Sequence, residues 1–251
     1  MSVDSLSHFE RAFANVGWFI PPYAAMGFLS SLAGEILRRG SGFSQEDLEK
    51  SLASLYNAEN MAAMVCSRYS ITPVIADYKE TIAESIEAHF LGLHHVAIAG
   101  LVPVIEGAGR ALLRQRGLSG SGVRGVFHAL ANDCKRESIE NNIGASGEVV
   151  SMMDSFSWFT DNVLYVDSDM YQFLDGTNRH GITHGAYRDS DYGKPINFYK
   201  TVGAVDFLAF VSAFRASISW LAPEPCATSQ HLAAYYQVLQ VTRCGSTTGV
   251  A

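Results

Sequence analysis

Ile75-Ala76-Asp77-Tyr78-Lys79-Glu80-Thr81-Ile82-Ala83-Glu84-Ser85-Ile86-Glu87-Ala88-His89-Phe90 is the stretch that decides the fold class. Ile75, Tyr78, Ile82, Ile86 and Phe90 recur every three or four residues, and Asp77, Glu80, Glu84 and Glu87 fall off that face. A period near 3.6 with the charges set apart predicts an amphipathic helix. Beyond Gly92 a second, more apolar helix is predicted over 94–116, carrying Pro103, Glu106 and Gly107. Pro103 should kink that helix or mark its first turn, because proline removes a backbone donor and crowds the preceding carbonyl.

The same reading extends in both directions. Phe9 and Phe13 set a helical spacing within 2–16, which Gly17 and the tandem Pro21-Pro22 break. Helices are expected over 24–39 and 45–56, with Ser44 and Asp47 as an N-terminal cap for the latter. Downstream come a Gly/Ser loop over 118–125, a short helix over 126–136 and a longer one over 148–166. Two polar loops, 167–178 and 187–195, flank a compact polar stretch. Helices over 202–220 and 230–241 and a Gly/Ser/Thr tail complete the chain. No run of β-branched residues alternates with polar ones, so the expected fold is an all-α antiparallel bundle. Its expected parts are an N-terminal helical region (1–70), the main bundle (71–220) and a C-terminal helix with tail (221–251).

Composition narrows the class further. The 251 residues are 48% hydrophobic and 17% charged, with a mean hydropathy of +0.08. So little surface charge makes a buried interface between copies an expectation. A net charge of −7 argues against a broad electrostatic grip on nucleic acid, though not against a small basic cleft. Cys66, Cys134, Cys226 and Cys244 form no C-x-x-C pair and read as reduced thiols. Residues 1–10 lack a basic region and a long apolar run, so no leader is expected. Apolar runs such as 96–105 fall short of the ~20 residues that cross a bilayer. The expectation is a cytoplasmic protein without membrane attachment.

The compact polar stretch is Thr177-Asn178-Arg179-His180-Gly181-Ile182-Thr183-His184-Gly185. Arginine is a fixed cation whose planar fork suits phosphate, and histidine can move a proton near neutral pH. Cleavage of a phosphodiester without a metal needs that pairing. His180 and His184 would share a helix face. Arg179 and His184 would sit about 140° apart on a straight helix, so they converge only at a distorted helix start or across an interface between two copies.

Arg179-His180-Gly181-Ile182-Thr183-His184 resembles the R-x4-6-H motif of HEPN domains, including the polar residue after the arginine. A looser likeness covers three blocks in order, Gly17 to Pro22, Leu101 to Gly107 and Asn178 to Gly185. These blocks resemble bacterial proteins with HEPN-like or abortive-infection-like C-terminal halves. The resemblance implies a helical bundle, often dimeric, acting as a metal-independent endoribonuclease in a toxin or phage-defence role. Arg179 would hold the scissile phosphate and steady charge on its oxygens. His184 would serve as general base or acid on the ribose 2′-OH or the leaving 5′-oxygen. His180 or Asn178 would orient the phosphate or supply the second proton. The product would be a 2′,3′-cyclic phosphate, formed without metal or other cofactor. RNA is the expected substrate, a second copy the expected partner, and an antitoxin a further one.

Other readings compete. A non-catalytic HEPN-like module would bind nucleotide, RNA or protein with the same residues. Arg179 could instead pair with Asp175, Asp189 or Glu106, and Asn178 could simply cap a helix. His180 and His184 also have metal-ligand spacing, with Asp189, Asp191 or Glu106 as a third ligand. An adjacent arginine would repel a cation, and the Glu of H-E-x-x-H is missing. Glu106, in an apolar stretch, needs a partner, Arg110 or Arg179. His94-His95 reads as surface or cap, and no Ser/His/Asp or Cys/His order can be assembled.

Overall fold

The computed structural model describes residues 6–246, and among these there are eleven α-helices and no strand. The start of the first expected helix, before residue 6, and the tail beyond residue 246 lie outside the described residues. The fold is thus all-α, as the periodicity over 75–90 predicts. The helices are α1 (Ser7–Ala14), α2 (Met26–Arg39), α3 (Gln45–Leu55), α4 (Ala58–Met64), α5 (Lys79–Phe90) and α6 (His94–Gln115). They continue with α7 (Gly122–Asn141), α8 (Ser146–Phe159), α9 (Arg179–Thr183), α10 (Pro195–Ala213) and α11 (Ala227–Ser246).

The axis of the molecule is α10. Every residue from Ile196 to Ala213 is buried, as a helix surrounded on all sides must be. α6, α3 and α7 pack against it, and α5 pairs with α6 along its length. One continuous apolar cluster runs from Leu6 to Tyr236. The N-terminal segment, the middle bundle and the C-terminal helix therefore share a core. α6 is, among the described residues, the one helix long and apolar enough to cross a membrane by length and composition. Just over half of its apolar window, 56%, is buried in the fold, and it packs against α5 and α10. The expectation that no stretch reaches that length is corrected to this extent.

Several boundaries differ from the sequence reading. The helix expected over 202–220 runs from Pro195 to Ala213. Its first turns carry the polar Asn197, Lys200 and Thr201, and all three are fully buried. Each finds its bonds inside. Asn197 Nδ2 donates to the Asp175 carbonyl at 2.6 Å and to Thr177 Oγ1 at 2.9 Å. Lys200 Nζ lies 3.0 Å from Asp175 Oδ2 and 3.0 Å from Gln45 Oε1. Thr201 Oγ1 donates to the Asn197 carbonyl at 2.5 Å. Pro195 at the first helical position loses nothing there, since that N–H has no intrahelical partner. At the other end Trp220 folds back on Phe214 and Phe210, with ring centres 4.4 and 5.3 Å away. α7 also outruns its expected 126–136, closing at Asn142 in the left-handed region, φ 50°. α6 runs on through Pro103 in its interior, so that residue does not mark a first turn. The cap over α3 is as expected: Ser44 and Asp47 bond reciprocally.

Candidate functional site

The polar loop before the 177–185 stretch is pinned from below. Asp175 and Lys200, both fully buried, form an ion pair. Tyr171 Oη donates to Asp175 Oδ1 at 2.8 Å, and the Thr177 hydroxyl bonds the other oxygen. Burial pushes the Asp175 carboxyl up, but Lys200, Thr177 and Tyr171 together outweigh it and hold the group below the ordinary carboxylate range. Removing either charge from such a pair leaves its partner buried and unmatched.

Asn178 then starts α9. Its Oδ1 accepts from the Gly181 backbone N–H at 2.8 Å, and its Nδ2 donates to the Val163 and Val166 carbonyls at 3.1 and 2.7 Å. The side chain is 0% exposed. Its substrate-binding role is therefore corrected: every polar atom of the amide is spent on the protein, and Asn178 is a cap that ties α9 to the end of α8.

α9 has only five residues because the chain turns away sharply. Gly185 takes φ +70°, and the Tyr187 N–H returns to the Gly181 carbonyl at 3.0 Å. The Tyr187 ring lies so close over Gly181 that a Cβ there would meet ring carbons at 2.4 Å. His184, just past the last helical residue at φ −96° and ψ 5°, swings back toward Arg179. Arg179 Nη1 lies 2.8 Å from His184 Nε2 and 3.4 Å from His180 Nδ1. The distorted turn that the spacing required is thus present within one chain.

An arginine N–H can only donate, so the bonded nitrogens of both histidines are acceptors in this arrangement. The two imidazoles stack 5.6 Å apart at 15°. Burial, the Arg179 charge and the neighbouring His184 hold the His180 pKa below the ordinary histidine value, which keeps that ring neutral at neutral pH. On the other side Arg179 Nη2 donates to Glu106 Oε2 at 3.1 Å, and Glu106 also accepts from Arg110 at 2.9 Å. Of the pairings open to Arg179, the structure selects Glu106. Asp175 is committed to Lys200, and Asp189 meets His95 through its carbonyl at 3.2 Å. Arg179 Nε is shut away from solvent without a partner among the described residues, as is the Tyr165 hydroxyl. Burial, reinforced by Glu106, pushes the Tyr165 hydroxyl pKa well up.

Beside His180 an open cleft of about 420 Å3 reaches to the start of α7, past Asp167, Tyr165 and Arg124. Arg124 Nε and Nη2 bond the Tyr165 carbonyl at 3.1 and 2.5 Å, and this exposed arginine is a second cation near His180. The sequence reading passed over Arg124 and Tyr165. Arg124 was hidden in the Gly/Ser loop, and Tyr165 in an apolar helix end. Among the described residues no three His, Cys, Asp or Glu side chains gather to hold a metal, and the third ligand required by the metal reading is not supplied by Asp189, Asp191 or Glu106. Compared with protein-family models, curated proteins and solved structures, the chain finds no match.

Proposed function

We propose that the chain is a metal-independent endoribonuclease of HEPN type, and that Arg179, His180 and His184 are its catalytic groups. The observation that carries the reading is the placement of one guanidinium between two imidazoles, within 2.8 and 3.4 Å. Transesterification of RNA needs a base for the 2′-OH, an acid for the 5′-oxygen and a cation for the phosphoryl oxygens. His180, held neutral, takes the 2′-OH proton. The 2′-oxygen attacks phosphorus as Arg179 turns Nη1 from the histidines onto a phosphoryl oxygen. The P–O5′ bond breaks, and His184, in its protonated form, gives a proton to the departing 5′-oxygen, leaving a 2′,3′-cyclic phosphate. Arg124 offers a contact for a neighbouring phosphate along the cleft.

The reading includes a homodimer and a toxin or phage-defence role. Support for a partner surface beside the site is the exposure of Met170 and Leu174, 64% and 89%, on the loop that leads into it.

A second reading has its own support. Arg179 is bonded on Nη1 to His184 and on Nη2 to Glu106, so it is engaged on both terminal nitrogens. A module that binds RNA or nucleotide without cutting it would look the same at rest. An RNA oligonucleotide and its 2′-O-methyl analogue separate the two in EDTA. The nuclease cuts the first and not the second, because the methyl ether has no proton to give and no free nucleophile. The module binds both and cuts neither.

A further inference from the structure

The cleft beside His180 holds one charged group that the cleavage chemistry leaves unused. Asp167, exposed between α8 and α9, shares the wall with His180, Arg124 and the start of α7. At about 420 Å3 the cleft falls within the range of small-molecule sites. Asp167 stands just before a short turn (Ser168–Met170), at a position where aspartate commonly caps, and its side chain makes no cap bond there. Among the described residues its carboxylate has neither a hydrogen-bond nor an ion-pair partner. The other carboxylates around the site are spent, Asp175 on Lys200 and Glu106 on Arg179 and Arg110. The charge of Asp167 reaches His180, as does that of Arg124.

What Asp167 can meet follows from what enters the cleft. A carboxylate only accepts, and it repels phosphate, which leaves Arg124 for the RNA backbone. A metal ion would find too few ligands, since among the described residues no three His, Cys, Asp or Glu side chains gather. Inside an RNA chain the ribose keeps one hydroxyl, the 2′-OH, and in the proposed reaction His180 takes that proton. The donors for Asp167 must then come from a base, and single-stranded RNA is read on the pairing edges of its bases. Adenine and cytosine offer one amine beside a bare ring nitrogen, and uracil one N–H between two carbonyls. Each of these sets an acceptor against one carboxylate oxygen. Guanine N1–H and N2–H lie side by side and match both oxygens with charge-assisted bonds. We propose that Asp167 is a specificity-determining residue, which reads through those two donors a guanine on the 5′ side of the scissile bond.

The inference rests on the ribonuclease reading, because the nucleotide whose 2′-OH meets His180 is the one whose base lies in the cleft. Two measurements on the full chain let the two fail separately. In the first, the protein is titrated calorimetrically with the 3′-monophosphates of guanosine, inosine, adenosine, cytidine and uridine. Guanosine 3′-monophosphate should bind about tenfold or more tighter than the inosine compound, which lacks the N2 amine. Asp167→Ala should erase that difference, with the far-ultraviolet dichroism unchanged. Asp167→Asn, which puts a donor in place of one acceptor, should erase it as well.

In the second, an RNA containing all four nucleotides is cut in EDTA and the ends are mapped. Cuts after guanosine should dominate in the parent, and their ratio to cuts after the other bases should fall toward even in Asp167→Ala. Equal binding of the five nucleotides, binding of none, or a guanosine preference that survives Asp167→Ala would overturn the proposal. RNA cut evenly after all four bases would overturn it and leave the nuclease standing. Guanosine-selective binding that Asp167→Ala abolishes, by a protein that cuts nothing, would sustain the base contact and sink the nuclease.

Discussion

Two clusters built from the same residue types stand at different places in this molecule. In one, Asp133 is a buried carboxylate among three arginines. Arg116 Nη1 and Arg215 Nη2 donate to its Oδ2 at 2.9 and 2.8 Å, and Arg136 bonds its Oδ1. Arg215 Nε also reaches Glu137 at 2.7 Å, and Arg116 Nη2 bonds the Val211 carbonyl at the end of α10. Asp133 and Arg116 are 1% and 2% exposed. In the other, Arg179 is a single guanidinium among Glu106 and two histidines, at 20% exposure, with its Nε unused. The first cluster spends its buried charges, Asp133 and Arg116, on one another and on the end of α10. The second holds its arginine against one carboxylate and two imidazoles, with His180 on the wall of an open cleft. Bond inventory, rather than residue type, distinguishes a structural ion cluster from one able to act on a ligand.

That contrast can be broken at either end. The largest effect is expected for Asp133→Ala, which leaves the buried Arg116 guanidinium without its nearest carboxylate. It should cost on the order of 3–5 kcal/mol in urea unfolding, while any RNA cleavage by the folded fraction stays unchanged. A comparable effect of opposite sign is expected at Asp206, which lies buried on α10. Its folded pKa of about 7 stands well above the ordinary carboxylate range, so its contribution to stability is fully present below about pH 4 and is lost as pH rises through 7. Asp206→Asn should flatten that dependence and gain on the order of 4 kcal/mol at pH 8 relative to the parent. Equal pH profiles for the two would show that burial does not govern the Asp206 carboxyl. The smallest effect is expected for Arg179→Ala, whose partly exposed ion pair is worth about 1 kcal/mol or less to folding. A loss as large as that at Asp133 would make Arg179 a structural residue and remove the contrast.

The amphipathic period over 75–90 was enough to read α5, and the caps and glycine breaks placed α2 and α3. Helix ends were legible where turn chemistry is local, as at Ser44 and Asp47. They were not legible where long-range contacts decide. The start of α10 was hidden because a buried lysine is acceptable only once Asp175 lies beside it, and no local pattern announces that. The sequence brought Arg179, His180 and His184 together and named Glu106 as a partner for Arg179. Asn178 was read both as ligand and as cap, and only the carbonyls of Val163 and Val166 decide for the cap. Arg124, Tyr165 and the buried Asp206 carry no spacing signal at all. They are brought together by packing between helices distant in the chain.

The central claim is that Arg179 and His184 act as one unit on a phosphodiester. The direct measurement is cleavage of a 5′-labelled RNA by the purified protein in EDTA, with Arg179→Ala and His184→Ala beside it. The account predicts 2′,3′-cyclic phosphate ends from the parent and a loss of about 100-fold or more in each variant, with both variants as stable as the parent to within about 1 kcal/mol. A stable parent that leaves the RNA intact, or cleavage that survives both substitutions, would contradict it.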